Sequence, residues 1–169
     1  RSTTECDIVQ RINTMISQGV DMIDIGAYSS RPGAKDVSPD EECRRLEMGM
    51  RILRDIDPSI LVSVDTFRAT VAHEAVTNMG VNIINDISGG DLDSKMFETV
   101  ADLNVPYIVM HMRGNPCNMN QFTQYNDVTA EVIHALSEKV NTLALMGVCD
   151  IIIDPGFGFS KTLAQNYEM

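Results

Sequence analysis

The chain has 169 residues, a formal net charge of −11 and 44% hydrophobic residues, which suits one globular domain with a sizeable core. The negative charge argues against nucleic acid or an anionic membrane surface as the main partner, although a few local cations could hold a small anion. No apolar run approaches the roughly 18 residues that span a membrane, and the first residues lack the apolar core of a signal peptide. The four cysteines form no Cys-x-x-Cys pair, so we expect free thiols in a reducing, cytoplasmic compartment.

Helix and strand patterns alternate along the chain without a linker or a low-complexity stretch. The first helix is expected to begin at a capping box formed by Ser2 and Glu5, and to stop at Gly19. The second begins at Ser38, which is followed by Pro39 and an acidic first turn. Further helices are predicted over 69–78, 94–103 and 128–146 and from Lys161 onward. Strands are predicted over 20–29, 60–66, 81–90 and 107–112 and from Ile151 onward.

Each predicted strand is nearly all apolar, so both of its faces should be buried. Strands of this kind that alternate with helices form a parallel sheet. Polar residues gather where the strands end: Asp24, Ser29, Ser30, Arg31, Asp65, Thr66, Asn85, Asp86, His111, Arg113 and Asp154. In a TIM barrel or an open α/β sheet, the substrate binds at this edge. A shared pocket therefore explains so many polar strand ends better than helix capping alone.

Each of these candidates also has an ordinary structural explanation. Asp65 could cap the helix that follows it, and Asp154 could simply begin an Asp-Pro-Gly turn. Asn85 lies among isoleucines, where its amide would need hydrogen-bond partners. His111 is more often a satisfied core histidine than a catalytic group, and Met110 is either core or the wall of a pocket.

The loop from Ser29 to Ala34 presents two hydroxyls and the guanidinium of Arg31 around a Pro-Gly turn. The planar fork of an arginine matches the paired oxygens of a phosphate, although an ordinary turn with a solvated arginine fits the same residues. The sequence contains no Gly-x-Ser-x-Gly, no Walker A motif and no complete Gly-x-Gly-x-x-Gly. The chemistry at this edge would therefore be mainly positioning and electrostatics.

Five segments resemble, in order, the successive motifs of the dihydropteroate synthase family: IDIGAYSSRPGA, SVDTFRATVAHEAV, INDISGG, MHMRGNP and IIIDPGFGFSKTLAQNYEM. The resemblance implies a TIM (β/α)8 barrel, of which residues 1–169 would supply strands two to six as one partial pterin-binding domain. It implies a transferase of folate biosynthesis that condenses 6-hydroxymethyl-7,8-dihydropterin pyrophosphate with p-aminobenzoate, and that sulfonamides inhibit. The family's metal-binding loop and last two strands are expected outside the chain, so the 169 residues alone should be inactive.

The same resemblance assigns the pterin site. Asp154 corresponds to the carboxylate that binds the pterin's 2-amino group and adjacent ring nitrogen. Asp65 and Asn85 correspond to other contacts at the pterin edge, and Met110 to a residue that lines the pocket. Asp65 is also expected to act in catalysis, because a carboxylate favours the cationic pterin that forms when pyrophosphate leaves.

The second substrate and the leaving group are assigned in the same way. Ser30 and Arg31 would bind pyrophosphate, with Arg31 stabilising the departing charge, and Pro32 and Phe159 would flank p-aminobenzoate. Magnesium is the implied cofactor, with no metal ligand expected in this chain. The family's Gly-Glu pair before this loop is replaced here by Ala27-Tyr28, a departure that leaves the loop's flexibility open.

Two other interpretations remain beside the synthase. A methyltetrahydrofolate-dependent enzyme that transfers a methyl group to a corrinoid shares the pterin site, but it needs no pyrophosphate loop. A non-catalytic, pterin-binding fragment would also carry these motifs. The sequence leaves the oligomeric state open, with a homodimer as the candidate assembly.

Overall fold

The computed structural model describes residues 4–28 and 37–169, which form one five-stranded parallel sheet with helices packed on one face. The strands are β1 (Met22–Gly26), β2 (Leu61–Asp65), β3 (Ile83–Asp86), β4 (Tyr107–Met110) and β5 (Ile151–Asp154). The helices are α1 (Glu5–Ser17), α2 (Pro39–Ile56), α3 (Ala69–Thr77), α4 (Met96–Leu103), α5 (Val128–Leu145) and α6 (Leu163–Glu168), with a short 3-10 helix at Met119–Gln121. The predicted alternation of parallel strands and helices is confirmed.

The strands neighbour one another in chain order, from β1 at one edge to β5 at the other. A doubly wound sheet reverses its strand order at a switch point, whereas a TIM barrel adds each strand beside the previous one. Right-handed crossovers in one direction place the connecting helices on the same face, and buried residues of α1 to α5 pack into one core with the strands. The described strands therefore have the winding of a barrel, and closure of that barrel is not seen among them.

Local sequence sets where the elements begin and end, and the predicted starts of the first and last helices are wrong. The capping box of α1 pairs Thr4 with Asp7: the Thr4 hydroxyl accepts from the Asp7 amide, and the Asp7 carboxylate accepts from the Thr4 amide. The predicted box of Ser2 and Glu5 is incorrect, because Glu5 is already the first helical residue. At the other end of the chain, α6 begins at Leu163 behind a Thr162 cap, so Lys161 precedes the helix.

The strand predicted over 81–90 is shorter in the structure, because β3 ends at Asp86. The Asp86 carboxylate accepts hydrogen bonds from the amides of Ser88 and Gly90 and from the hydroxyl of Tyr107. These bonds fold residues 87–90 into a turn, in which Gly89 and Gly90 take positive φ values of 56° and 87°. Asp86 is fully buried and holds the loop together.

The two faces of the sheet differ in chemistry. Val62, Val64, Ile84 and Val109 are fully buried on the face that the helices cover. Because side chains alternate along a strand, the residues between them project from the opposite face. That second face carries apolar side chains at its N-terminal end and polar ones at its C-terminal end.

Two further properties concern the described part of the chain. None of its helices combines the length and the apolar character needed to cross a membrane. The four cysteines, Cys6, Cys43, Cys117 and Cys149, carry free thiols, as the sequence predicted.

Candidate active site

Four of the residues singled out in the sequence lie together on the second face of the sheet, at the C-terminal ends of the strands. The register pairs Asp65 of β2 with Asn85 of β3, and Met110 of β4 with Asp154 of β5. Neighbouring strands lie about 4.8 Å apart, so the two members of each pair are adjacent. Phe159 follows in the loop after β5.

Three predicted residues of the phosphate loop, Ser30, Arg31 and Pro32, lie outside the described residues. Residues on both sides of that loop contact Arg68. The Arg68 guanidinium donates to the carbonyl oxygen of Val37 at 2.7 Å and lies 5.2 Å from the ring centroid of Tyr28. Tyr28 also packs edge-on against Phe67, with ring centroids 4.9 Å apart. The tyrosine that departs from the family pattern is therefore packed against the residues that follow β2.

Asp65 is half-buried among other carboxylates. Burial, and then the negative charges of Asp24, Asp86 and Glu42, together raise its pKa to about 7. It does not cap α3, because that helix begins at Ala69, whose amide donates to Asp93. The capping explanation of Asp65 is therefore wrong, and its carboxyl is a group that titrates near neutrality at a strand end.

Asn85 has the partner that its position requires. Its Nδ2 donates to Oδ2 of Asp24 at 3.2 Å, and the Ser63 hydroxyl donates to Oδ1 of the same carboxylate. Because the amide nitrogen is directed at Asp24, the amide oxygen is directed away from it and can accept from a ligand. Asp24 is the residue whose importance the sequence understated: it appeared only as one of several polar strand ends, but it orients Asn85 and adds negative charge beside Asp65.

Asp154 begins a turn and also lies on the second face of the sheet. Its Oδ1 accepts from the amide of Gly156 at 2.7 Å, as an Asp-Pro-Gly turn predicts. Gly156 has φ +70°, and a Cβ at this position would collide with the carbonyl oxygen of His111. The glycine therefore lets the turn lie against the end of β4, with Asp154 beside Met110.

An apolar cluster stands next to these polar groups. Met110 packs with Ile87, Met112 and Met119, and the partly buried rings of Phe67 and Phe159 lie against the cluster. Met110 therefore has the surroundings of a pocket wall, and Phe159 is an aromatic side chain at the border of the site. This arrangement can hold a flat ring whose edge meets the carboxylates and the amide.

Two buried basic groups lie beneath the loop after β5. The Nζ of Lys161 is 3.1 Å from Nδ1 of His111 and donates to the carbonyl oxygens of Gly156 and Phe159 at 3.0 and 3.1 Å. Burial, then the charge of Lys161, lowers the pKa of His111 to about 4, so the imidazole is neutral at pH 7. Burial lowers the pKa of Lys161 to about 8, against the attraction of Asp154. His111 has the hydrogen-bond partner that the core interpretation predicted.

No group of three or more His, Cys, Asp or Glu side chains within residues 4–28 and 37–169 could hold a metal ion. A groove on the helical side lies between α2, α3 and α4, with Cys43 and His73 in its lining. None of the strand-end residues lines it, so it takes no part in the site.

The family model described as "Pterin binding enzyme" matches residues 3–169. The chain belongs to the pterin-binding enzyme family. The folate synthesis bifunctional protein of Arabidopsis thaliana is 46% identical over 167 residues, which are 95% of this chain and 34% of that protein. This pterin-binding chain thus spans about a third of its plant relative.

Solved structures of two bacterial dihydropteroate synthases are similar to this pterin-binding chain. The Xanthomonas albilineans enzyme with 4-aminobenzoic acid is 34% identical, with a TM-score of 0.86 over 99% of this chain and 59% of that chain. The Yersinia pestis enzyme in a sulfonamide drug complex is 32% identical, with a TM-score of 0.88 over 98% of this chain and 59% of that chain. The strand-end residues described above therefore lie on a fold shared with these synthases.

Proposed function

We propose that the chain forms the pterin-binding part of a dihydropteroate synthase. The substrates would be 6-hydroxymethyl-7,8-dihydropterin pyrophosphate and p-aminobenzoate, and the products 7,8-dihydropteroate and pyrophosphate. The observation that carries the proposal is the placement of Asp65, Asn85 and Asp154 on one face, at the C-terminal edge of a parallel sheet. Membership of the pterin-binding family and the similarity to synthases support it.

In this proposal the pterin is recognised through its polar edge. The 2-amino group and the adjacent ring N–H are two donors in a line, which a carboxylate can accept together. Asp154 takes this role, because the bond from Gly156 fixes the orientation of its carboxylate. Asp65 and the amide oxygen of Asn85 accept from the remaining edge, and Met110 contacts a ring face.

The proposed reaction breaks the carbon–oxygen bond to pyrophosphate, which leaves with the bonding electron pair. The pterin methylene carbon then carries positive charge delocalised into the ring. The amine nitrogen of p-aminobenzoate attacks that carbon, forms the new bond and loses a proton. Carboxylates at Asp65 and Asp154 stabilise the cationic pterin more than the neutral substrate, which is the difference that accelerates the step.

The remaining roles are carried by the resemblance. Ser30 and Arg31 bind pyrophosphate, and Pro32 flanks p-aminobenzoate together with Phe159. A sulfonamide would compete with p-aminobenzoate, a proposal that the drug complex of the Yersinia pestis relative supports. A cytoplasmic location and a homodimer complete the proposal.

Magnesium is part of the proposal only through the resemblance. The described residues do not fit a metal site, because no three of their His, Cys, Asp and Glu side chains form a cluster able to hold an ion. Any Mg²⁺ would come with ligands other than these, and no step of the reaction above runs through it.

The pterin assignment is tested by calorimetric titration of 6-hydroxymethylpterin into the whole protein and into an Asp154→Ala variant. Loss of a hydrogen-bonded charge that the bound ligand buries costs about 2–5 kcal/mol of affinity, so we expect binding to be lost. Asp150→Ala is the matched control, because Asp150 is exposed just before the N-terminal end of the same strand. Unchanged affinity in Asp154→Ala would refute the assignment.

The reaction is tested by release of pyrophosphate when both substrates are present. The synthase proposal expects release that depends on p-aminobenzoate. Methyl transfer from methyltetrahydrofolate to a corrinoid, with no such release, would favour the alternative enzyme. Binding of the pterin with neither activity would favour a non-catalytic protein.

A further inference from the structure

Lys161 is a buried cation to which the proposed reaction assigns no role. Only 7% of its surface is exposed, although lysine is among the residues least often buried. The contacts of its Nζ are with His111, Gly156 and Phe159, and all three of these acceptors are neutral. An ammonium group has three donors, so this set of acceptors satisfies it completely.

The loop that Lys161 holds carries two proposed substrate contacts. The carbonyl oxygen of Gly156 accepts from Lys161, and its amide donates to Asp154. One residue therefore links the ammonium group to the carboxylate of Asp154, which is the proposed pterin contact. Phe159 offers its own carbonyl oxygen to the same ammonium. A displacement of Lys161 would therefore move both the carboxylate and the aromatic wall.

The loop is also fastened to the end of β4 by contacts that do not involve the lysine. The Arg113 amide donates to Oγ of Ser160 at 3.0 Å, and Gly156 lies against the carbonyl oxygen of His111. Ser160 is fully buried with φ +49°, a conformation that a non-glycine residue adopts only when its surroundings hold it there. The lysine thus completes a junction between the end of β4 and the loop after β5.

We propose that Lys161, with Nδ1 of His111 as its acceptor, is a positioning residue that fixes Asp154 and Phe159 for the two substrates. This inference rests on the proposed function, because it concerns the geometry of that pterin and p-aminobenzoate site. Lys161 touches neither reacting atom; it acts through the two carbonyl oxygens of the loop.

A pair of histidine substitutions separates positioning from simple core packing. His111→Asn places an amide oxygen near the position of Nδ1, whereas His111→Gln reaches toward the position of Nε2 and leaves Lys161 without its acceptor. We expect His111→Asn to bind 6-hydroxymethylpterin like the unmodified protein. His111→Gln and Lys161→Met should bind it about tenfold more weakly, the effect of losing a hydrogen bond to a charged group.

Lys139 provides a matched control, because it holds a neighbouring loop in the same way. Its Nζ donates to the carbonyl oxygens of Ser88 and Gly89 and pairs with Asp91. Amide hydrogen exchange should accelerate about tenfold over residues 155–160 in Lys161→Met, and over residues 88–91 instead in Lys139→Met. Pterin affinity should fall in the first variant only.

The outcomes separate this inference from the proposed function. If the unmodified protein binds no pterin, both the proposed function and the positioning role are wrong. If it binds pterin and Asp154→Ala does not, but Lys161→Met binds normally, the positioning role alone is wrong. Should Lys161→Met not fold, the histidine pair decides, and equal affinities in His111→Asn and His111→Gln would overturn the proposal.

Discussion

Asp65 titrates near neutrality, with a pKa of about 7, because burial and three neighbouring carboxylates oppose its ionisation. A pterin edge that donates hydrogen bonds to this carboxyl favours the ionised form. Binding and ionisation are therefore linked, and the affinity for a pterin must depend on pH around this value.

We predict that pterin affinity rises as the pH increases through about 7. Below the pKa, Asp65 must lose a proton before it can accept from the ligand, so the affinity should be about tenfold weaker near pH 6 than near pH 8. Calorimetric titration over this range measures the change. Asp65→Asn should bind weakly and without this pH dependence; an identical pH profile in the variant would show that another group is responsible.

The same pKa predicts an effect on stability. Between about pH 4 and 7, the folded protein retains a proton on Asp65 that the unfolded chain, with the ordinary pKa of 3.8, has released. The free energy of unfolding therefore falls as the pH rises through this range. The asparagine side chain of the Asp65→Asn variant does not titrate, so the free energy of unfolding of this variant should not fall in this way. The variant should therefore gain stability relative to the unmodified protein as the pH rises, by about 2–4 kcal/mol at pH 8. Denaturant unfolding at several pH values tests this, and an advantage that shrinks with pH would contradict it.

The sequence predicted which side chains share the site better than it predicted how they are held. Asp65 and Asp154 end apolar strands and Asn85 is the last residue but one of its strand, and period-2 alternation with a parallel register is enough to place them on one face. The contact between His111 and Lys161 joins residues 50 positions apart. Its existence depends on how the loop after β5 lies against β4, which no local pattern reports.

Among the elements, the strands were predictable because their apolar runs are bounded by polar residues and glycines. The ends of the strands were harder to predict, because side chains that hydrogen-bond to the backbone decide where a strand stops. Asp86 ends β3 by accepting from two amides and a tyrosine hydroxyl, and it shortens a strand that the sequence extends to Gly90. The cap of α1 was missed for a similar reason, since several polar residues at the start of the chain can serve as caps.

The loop after β5 offers a test of close packing between elements. Gly156 and Gly158 both have positive φ, 70° and 82°, so alanine is equally strained at either position. Only at Gly156 would the added Cβ collide with the carbonyl oxygen of His111; at Gly158 nothing lies within 4 Å.

We therefore predict that Gly156→Ala lowers the free energy of unfolding by about 2–4 kcal/mol, and Gly158→Ala by only about 1 kcal/mol. Pterin affinity should fall in the first variant, because the carboxylate of Asp154 is held by the Gly156 amide. Denaturant unfolding and pterin titration of both variants provide the measurement. Equal losses of stability would mean that the loop can move away from β4 without penalty.

At the scale of the whole molecule, the described sheet has two edges and one uncovered face. β1 and β5 each pair on one side only among the described residues. On the second face, which carries the candidate site, Leu61 at the start of β2 and Ile152 near the start of β5 are 49% and 47% exposed. The resemblance to the synthase family predicted a barrel, in which such residues fill the interior. Composition and periodicity alone could predict a parallel sheet but not whether it closes.

An open sheet of this kind has consequences for residues 1–169 expressed by themselves. The edge strands present unpaired N–H and C=O groups, and the exposed apolar residues of the second face adjoin them, a combination that favours association between chains. We predict that this polypeptide forms dimers or larger species in size-exclusion chromatography. It should release no pyrophosphate when both substrates are present, because the uncovered face of the open sheet leaves bound substrates exposed to water, which screens the charges that develop on them. The protein isolated from its natural source is the control in the same assays. A monomer of residues 1–169 with turnover near that of the control would show that the five-stranded sheet suffices for catalysis.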